Sequence, residues 1–238
     1  AVDALIICAP PEVTTDVALA CANAGKRCMA TKPLMVTDWQ RLEWPPMGTI
    51  PYLPLGLSLD TDLYVDLWRL YSPAWLALKQ ELRGKTIHSV RVDFYGNGPV
   101  RSFSGLLDYG PHALAFAIDL LGDCESLRCG SNAPGLWEIF RRPEGNRPGI
   151  VVTTGNGWKD SRKAVIVYCS DGSRFLWQEK DECQSFSPTS KCGLSLGYLQ
   201  CDRALAIRNF CRAFVAGDTS DTLRISCEAM KILMPLVQ

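Results

Sequence analysis

The feature that most constrains this chain is its first apolar run. Ala4-Leu5-Ile6-Ile7-Cys8 contains no polar side chain and stops almost at once at Pro10-Pro11. A strand with one wet face alternates apolar and polar residues, whereas a strand covered on both faces reads as a short continuous apolar segment. Val2 to Cys8 is therefore expected to lie inside a parallel sheet. Parallel neighbours require a crossover, and the next residues supply it. Thr14 or Thr15 can cap a helix through Ala24, with Val17, Ala18, Cys21 and Ala24 on one stripe and Gly25 as its left-handed stop. Arg27 to Ala30 reads as the second strand, closed by Pro33. The three elements make one βαβ unit with a right-handed crossover.

Further on, Pro45, Pro46, Pro51 and Pro54 forbid a long helix across residues 38 to 63, which read as an irregular connection. Tyr64 to Leu70 is expected as a strand. Ser72 to Leu82 is expected as a helix capped by Ser72, with Pro73 in its first turn and Gly84 past its end. From His88 the texture changes: Val90, Val92 and Phe94 alternate with Arg91 and Asp93, as a half-exposed strand does. Similar segments recur at Gly149 to Thr154, Ala164 to Cys169 and Arg174 to Gln178, the last two joined by an Asp171-Gly172 turn. Helices are expected from Gly110 to Leu121, Cys201 to Ala216 and Asp221 to Leu236. The fold class is α/β plus α+β: a βαβ fragment over residues 1–83, then an antiparallel-sheet α+β domain over residues 84–238.

Composition narrows the function. Lys plus Arg and Asp plus Glu number 25 each, so the chain lacks the basic excess with which proteins neutralise nucleic-acid phosphates. No run reaches the roughly 18 apolar residues of a membrane span. The 11 cysteines include no C-x-x-C pair and stand beside only two histidines, which argues against a metal site and for thiols packed as small core residues. That points to the cytoplasm or another reducing compartment.

Two motifs carry chemistry. Ala9-Pro10-Pro11 follows the first strand, and Thr31-Lys32-Pro33-Leu34 follows the second, both where a doubly wound sheet binds ligands. Lys32 can present a cation to a ribose or to a substrate oxygen gaining negative charge; taken as an isolated residue, it reads better as a solvated surface lysine. Asp108-Tyr109-Gly110-Pro111-His112 leads into a helix, and His112 in its first turn would be kept neutral by the positive helix end. Asp108 can orient it. The bland alternative is a helix cap with a packed histidine. His88 reads as a surface residue, and Gly96-Asn97-Gly98 as a turn.

In this order, the stretches Asp3 to Pro11, Ala24-Gly25-Lys26, Thr31 to Leu34, Asp108 to His112 and Leu120-Leu121-Gly122 resemble the glucose-fructose oxidoreductase, inositol dehydrogenase and rhizopine-catabolism (Gfo/Idh/MocA) family. Arg69 to Ala74 is similar to the stretch that follows the last strand of that family's cofactor domain. The resemblance implies that residues 1–83 are a truncated Rossmann-like dinucleotide-binding domain. Residues 84–238 would then serve substrate binding and oligomerisation through the sheet. It implies NAD or NADP as cofactor, hydride exchange with a sugar- or polyol-like small molecule, and Lys32, His112 and Asp108 as the reacting groups. Ala9, Pro10, Pro11, Thr14, Lys32 and Pro33 would face the cofactor, and Arg69 and Tyr71 the substrate. The family's G-x-G-x-x-G loop is not in this sequence. Its absence implies weak or no dinucleotide binding by these residues alone, and an upstream segment or a partner covering the first strand. Thr14, Thr31 and Ala115 stand where the family has His, Glu and Asp. The alternative they support is a catalytically silent descendant acting as an interaction module within a larger assembly.

Overall fold

The computed structural model describes residues 2–9, 11–32, 62–97, 104–122, 124–133, 135–156, 160–189, 199–218 and 221–236. Pro10, Pro33, Gly98 and nearly all of the proline-rich connection lie outside the described residues.

Strand β1 (Ala4–Ile7), helix α1 (Pro11–Asn23) and strand β2 (Arg27–Ala30) form the βαβ unit, with β1 parallel to β2 and Leu5 opposite Cys28. Strand β3 (Leu63–Val65) adds parallel to the other side of β2. The expected strand from Tyr64 to Leu70 breaks after Val65 and becomes a 3₁₀ turn over Trp68–Tyr71. Helix α1 begins at Pro11, earlier than its expected cap, so Thr14 and Thr15 lie buried inside it. Proline suits a first helical position because its φ is already helical and it has no N–H to leave unpaired. Strand β1 is less enclosed than its run suggests. Ile7 is buried but Ile6 is 60% exposed, and β1 pairs only with β2 among the described residues.

Helix α2 (Pro73–Glu81) follows the 3₁₀ turn, and Ser72 Oγ caps it by accepting from the Trp75 amide at 3.3 Å. The large sheet is built from β4 (Ile87–Gly96), β5 (Arg128–Ala133), β6 (Leu136–Arg141), β7 (Gly149–Asn156), β8 (Arg162–Cys169), β9 (Arg174–Lys180), β10 (Cys183–Thr189) and β11 (Leu199–Asp202). Its order is β11-β10-β9-β8-β4-β7-β6-β5. Neighbours are antiparallel except β4 and β7, which run parallel with Val92 opposite Val152. The reason is the crossover: helix α3 (Ser104–Leu121) and the β5–β6 hairpin return the chain to the side of β4 in the same direction. The Asp171-Gly172 turn joins β8 to β9, with Gly172 at φ +80°.

Helix α3 corrects one expectation. It starts at Ser104 and contains Pro111, so Gly110 does not open it. Gly110 serves packing instead: a Cβ there would come within 2.9 Å of Leu233 Cδ2, so its absence lets helix α5 (Thr222–Leu233) lie close to α3. Between them in sequence, helix α4 (Arg203–Ala216) is capped by Asp202, whose carboxylate accepts from the Ala204 amide, and ends at Gly217 with φ +72°.

One continuous apolar core joins both sheets, reaching from Ile7 and Val65 to Val92 and Ile150. Its centre is aromatic. Trp75 of α2 and Trp177 of β9 each lie 4.6 Å, centroid to centroid, from Phe116 of α3. Helix α2, although it precedes residue 84, packs on β9, β10 and β11 of the large sheet. Among the described residues no helix is long and apolar enough to cross a membrane.

Candidate functional site

The site grows from the carboxyl edge of the small sheet. Beyond their last paired residues, β1 leads into Cys8 and Ala9, β2 into Thr31 and Lys32, and β3 into Asp66. The Thr31 amide donates to Ile7 O at 3.3 Å and the Asp66 amide to Ala30 O at 2.9 Å, so these ends stay in register. Side chains leaving such an edge meet whatever element lies beyond it. Here that element is α3.

Lys32 crosses to α3, where its ammonium donates to both the backbone oxygen and the carboxylate of Asp108. Pro111, three residues further on, lacks the amide that would have bonded Leu107 O, four residues before it. Burial lowers the pKa of Lys32, partly opposed by its bonds to Asp108. Asp66, at the end of the neighbouring strand, is shifted the other way: burial raises its pKa, and Arg69 and Lys32 pull it back.

His112 stands four residues after Asp108, on the same helical face. It is buried, its ring lies 5.8 Å from that of Phe94, and no hydrogen bond among the described residues reaches its imidazole. Burial holds its pKa well below the ordinary histidine value, and the cations of Arg69, Lys32 and Lys163 push it further down. The imidazole is therefore uncharged at neutral pH. The expected cause was a helix N-terminus, and that is corrected: His112 is about two turns inside α3, where the end charges have faded.

Arg69 is held beside this cluster but is committed elsewhere. Its Nε and Nη2 donate to Glu179 of β9 at 2.9 and 3.1 Å, while its plane lies over Trp68 at 4.2 Å and near Phe94 at 5.1 Å. Glu179 also accepts from Lys163 at 2.7 Å and Gln184 at 2.9 Å. Burial alone would raise the Glu179 pKa; the bonds from Arg69, Lys163 and Gln184 instead bring it down to about 2. Tyr71 packs its ring 5.1 Å from Phe210, and its carbonyl accepts from Asn209. Neither Asp66 nor Glu179 stood out in the sequence. Asp66 shares with Lys32 the signal of a polar residue directly after a parallel strand; Glu179 had no local signal, since its partners come from distant segments.

On the other side of the edge, Thr14 Oγ1 donates to Ala9 O at 2.8 Å and lies 3.4 Å from Thr31 Oγ1. The Thr31 hydroxyl also reaches Ala9 O at 3.4 Å. Two of the three departures from the family pattern are thus in contact with each other. The third, Ala115, is buried in the core at 1% exposure, where an aspartate would be a buried charge. Pro11 opens α1, while Pro10 and Pro33 lie outside the described residues. Among the described residues no three potential ligands converge on a metal position.

No protein-family profile matches the chain, and no curated protein sequence does. Solved structures do match. The UDP-N-acetylglucosamine 3-dehydrogenase of Acidithiobacillus ferrooxidans superimposes with a TM-score of 0.67 at 17% identity, over 100% of this chain and 80% of its own. The chain shares the two-domain oxidoreductase fold. A 3-ketoreductase from Actinomadura kijaniata, solved with TDP-benzene and NADP, gives 0.63 at 16% identity over 98% of this chain and 76% of its own. A D-galactose-1-dehydrogenase from Rhizobium etli gives 0.62 at 19% identity, over 97% and 76%.

Proposed function

We propose that this chain belongs to the Gfo/Idh/MocA type of oxidoreductase and exchanges hydride between NAD or NADP and a hydroxyl or carbonyl of a sugar- or polyol-like molecule. The observation that carries this reading is the pairing of two unlike groups at one edge. An uncharged buried imidazole without a hydrogen-bond partner among the described residues, His112, stands one helical turn from the carboxylate that holds the ammonium of Lys32. A neutral imidazole can accept the proton of a substrate hydroxyl, and an ammonium can stabilise the oxygen left behind. Asp108 positions Lys32, and Phe94 packs against the imidazole. The residues fit one end of a dinucleotide: Ala9, Pro11 and Lys32 lie where a doubly wound sheet receives its cofactor. The glycine-rich pyrophosphate cradle is not among the residues of this sequence. The cofactor, when bound, supplies the hydride acceptor or donor. Two of the neighbours are named for a sugar nucleotide and a sugar, and a third was solved with NADP, which supports the same substrate class here.

The test is turnover. The protein is incubated with NAD or NADP and a panel of aldoses, polyols and nucleotide sugars while reduced nicotinamide is followed by absorbance. His112→Asn is expected to lower kcat by about 10²- to 10⁴-fold with its thermal unfolding nearly unchanged. Equal rates in the two proteins would remove His112 from the reaction.

A silent interaction module is the second reading, and one observation favours it: the hydroxyls of Thr14 and Thr31 are turned onto Ala9 O at the cofactor edge. No turnover on any substrate at dinucleotide concentrations that saturate the protein would move this reading ahead. A segment or partner covering the edge of β1, and a second copy of the chain on the large sheet, are the contacts proposed under either reading.

A further inference from the structure

A second site lies at the far edge of the large sheet. A cavity of about 770 Å³ is lined there by Arg128, Arg141, Arg142 and Arg147, with Phe140 on its wall and Glu144 as the one carboxylate among the described lining residues. Arg141 sets its character. This residue is only 9% exposed, yet its guanidinium donates to two neutral carbonyls, Glu125 O at 2.8 Å and Pro148 O at 3.3 Å. Among the described residues no carboxylate forms an ion pair with Arg141, nor with Arg128, Arg142 or Arg147. The contrast with Arg69 is direct, because that equally buried arginine has a bidentate partner in Glu179. A buried cation without a counter-charge is costly unless an anion arrives to balance it.

The cavity is remote from Lys32 and His112. Arg141 lies opposite Ile150, which lies opposite Val90 near the start of β4. Phe94, the residue packed on His112, is four positions further along β4, roughly 13 Å away along the strand, and β6 is two strands across from β4. Strand β5 begins only beyond the C-terminal end of α3, the end opposite the turn that holds Lys32.

We infer that this cavity binds a small molecule carrying two adjacent phosphoryl groups. Among the described lining residues, four guanidinium groups against one carboxylate leave an excess of three positive charges around a single space. Guanidinium forks match phosphoryl oxygens two at a time. The volume falls within the roughly 300–1,000 Å³ of small-molecule pockets, more than one phosphate fills. The inference does not depend on the oxidoreductase reading.

Calorimetric titration of the full chain with inorganic pyrophosphate at low salt tests it. Saturable one-to-one binding is expected, weakened at least about tenfold in the double variant Arg128→Gln/Arg147→Gln, with citrate binding more weakly than pyrophosphate. These two arginines lie at the rim, so the variant should keep the far-ultraviolet dichroism of the parent. An absence of saturable heat, equal affinity in the double variant, or citrate binding as tightly as pyrophosphate would each overturn the assignment.

Discussion

His112 and Glu179 are two residues whose pKa folding lowers, one by burial among cations and the other by its ion pairs. The folded chain holds His112 neutral, while the unfolded chain returns it to an ordinary pKa near 6.5. Above that pH both states carry a neutral imidazole and the residue contributes nothing to pH dependence. As pH falls below about 6.5, the unfolded state takes up a proton that the folded state refuses, so stability falls with pH. Glu179 adds a second, lower stage. Its folded pKa of about 2 lies below the ordinary 4.5, so the stability it contributes is fully present above 4.5 and is lost as pH falls toward 2. Urea midpoints measured from pH 8 downward should therefore decline in two stages. His112→Asn should flatten the stage that begins near pH 6.5, and Glu179→Gln the one below 4.5. An unchanged upper stage in His112→Asn would show that the imidazole is not held neutral by the fold.

Among the elements, α3 does most to connect the site to the core. Its outer turn holds Lys32 through Asp108, its middle presents His112, and its inner face packs Phe116 against Trp75 and Trp177. Asp119 near its end accepts from Trp75 Nε1 at 2.7 Å and from Lys79 at 2.9 Å, tying α3 to α2. Such a helix must pack tightly against α5, and Gly110 makes that possible. Gly110→Val places side-chain atoms in space held by Leu233. Overpacking of this kind costs about 1–3 kcal/mol, measured as the loss of unfolding free energy. A double-mutant cycle with Leu233→Ala should show positive coupling, since the smaller side chain relieves the clash. Additive losses would mean that α3 and α5 do not meet at this point.

For the molecule as a whole, the shared core makes the two sheets interdependent. Helix α2 comes before the large sheet in sequence but covers β9, β10 and β11, with Trp75 in the aromatic centre. Residues 84–238 expressed alone would expose Phe116 and Trp177 where Trp75 had been, whereas residues 72–238 would keep them covered. The longer fragment should show the higher Tm and bind less of a hydrophobic dye. Equal behaviour of the two fragments would show that α2 adds nothing to the stability of the large sheet.

What the sequence determined by itself was local. The βαβ unit, the Ser72 cap, the Asp171-Gly172 turn and the alternation along β4, β8 and β9 each depend on residues a few positions apart, where propensity and periodicity act directly. The position of Lys32 just past a strand end was legible, because the sequence marks where a strand stops. Elements whose signal is tertiary were not legible. Strand β10 has no core alternation to read, since its buried residues include Gln184, Ser185 and Ser187, and the start of α3 was obscured by a proline that a kinked helix tolerates. The environment of His112 was decided only by the fold. Its neutrality follows from burial and from three cations that arrive from β2, the 3₁₀ turn and β8, segments brought together by packing. The same holds for the Arg69–Glu179 pair and for Arg141, which has no carboxylate partner among the described residues. Charge balance is a property of neighbours in space, and sequence spacing carries no information about it beyond a helical turn or a strand pair.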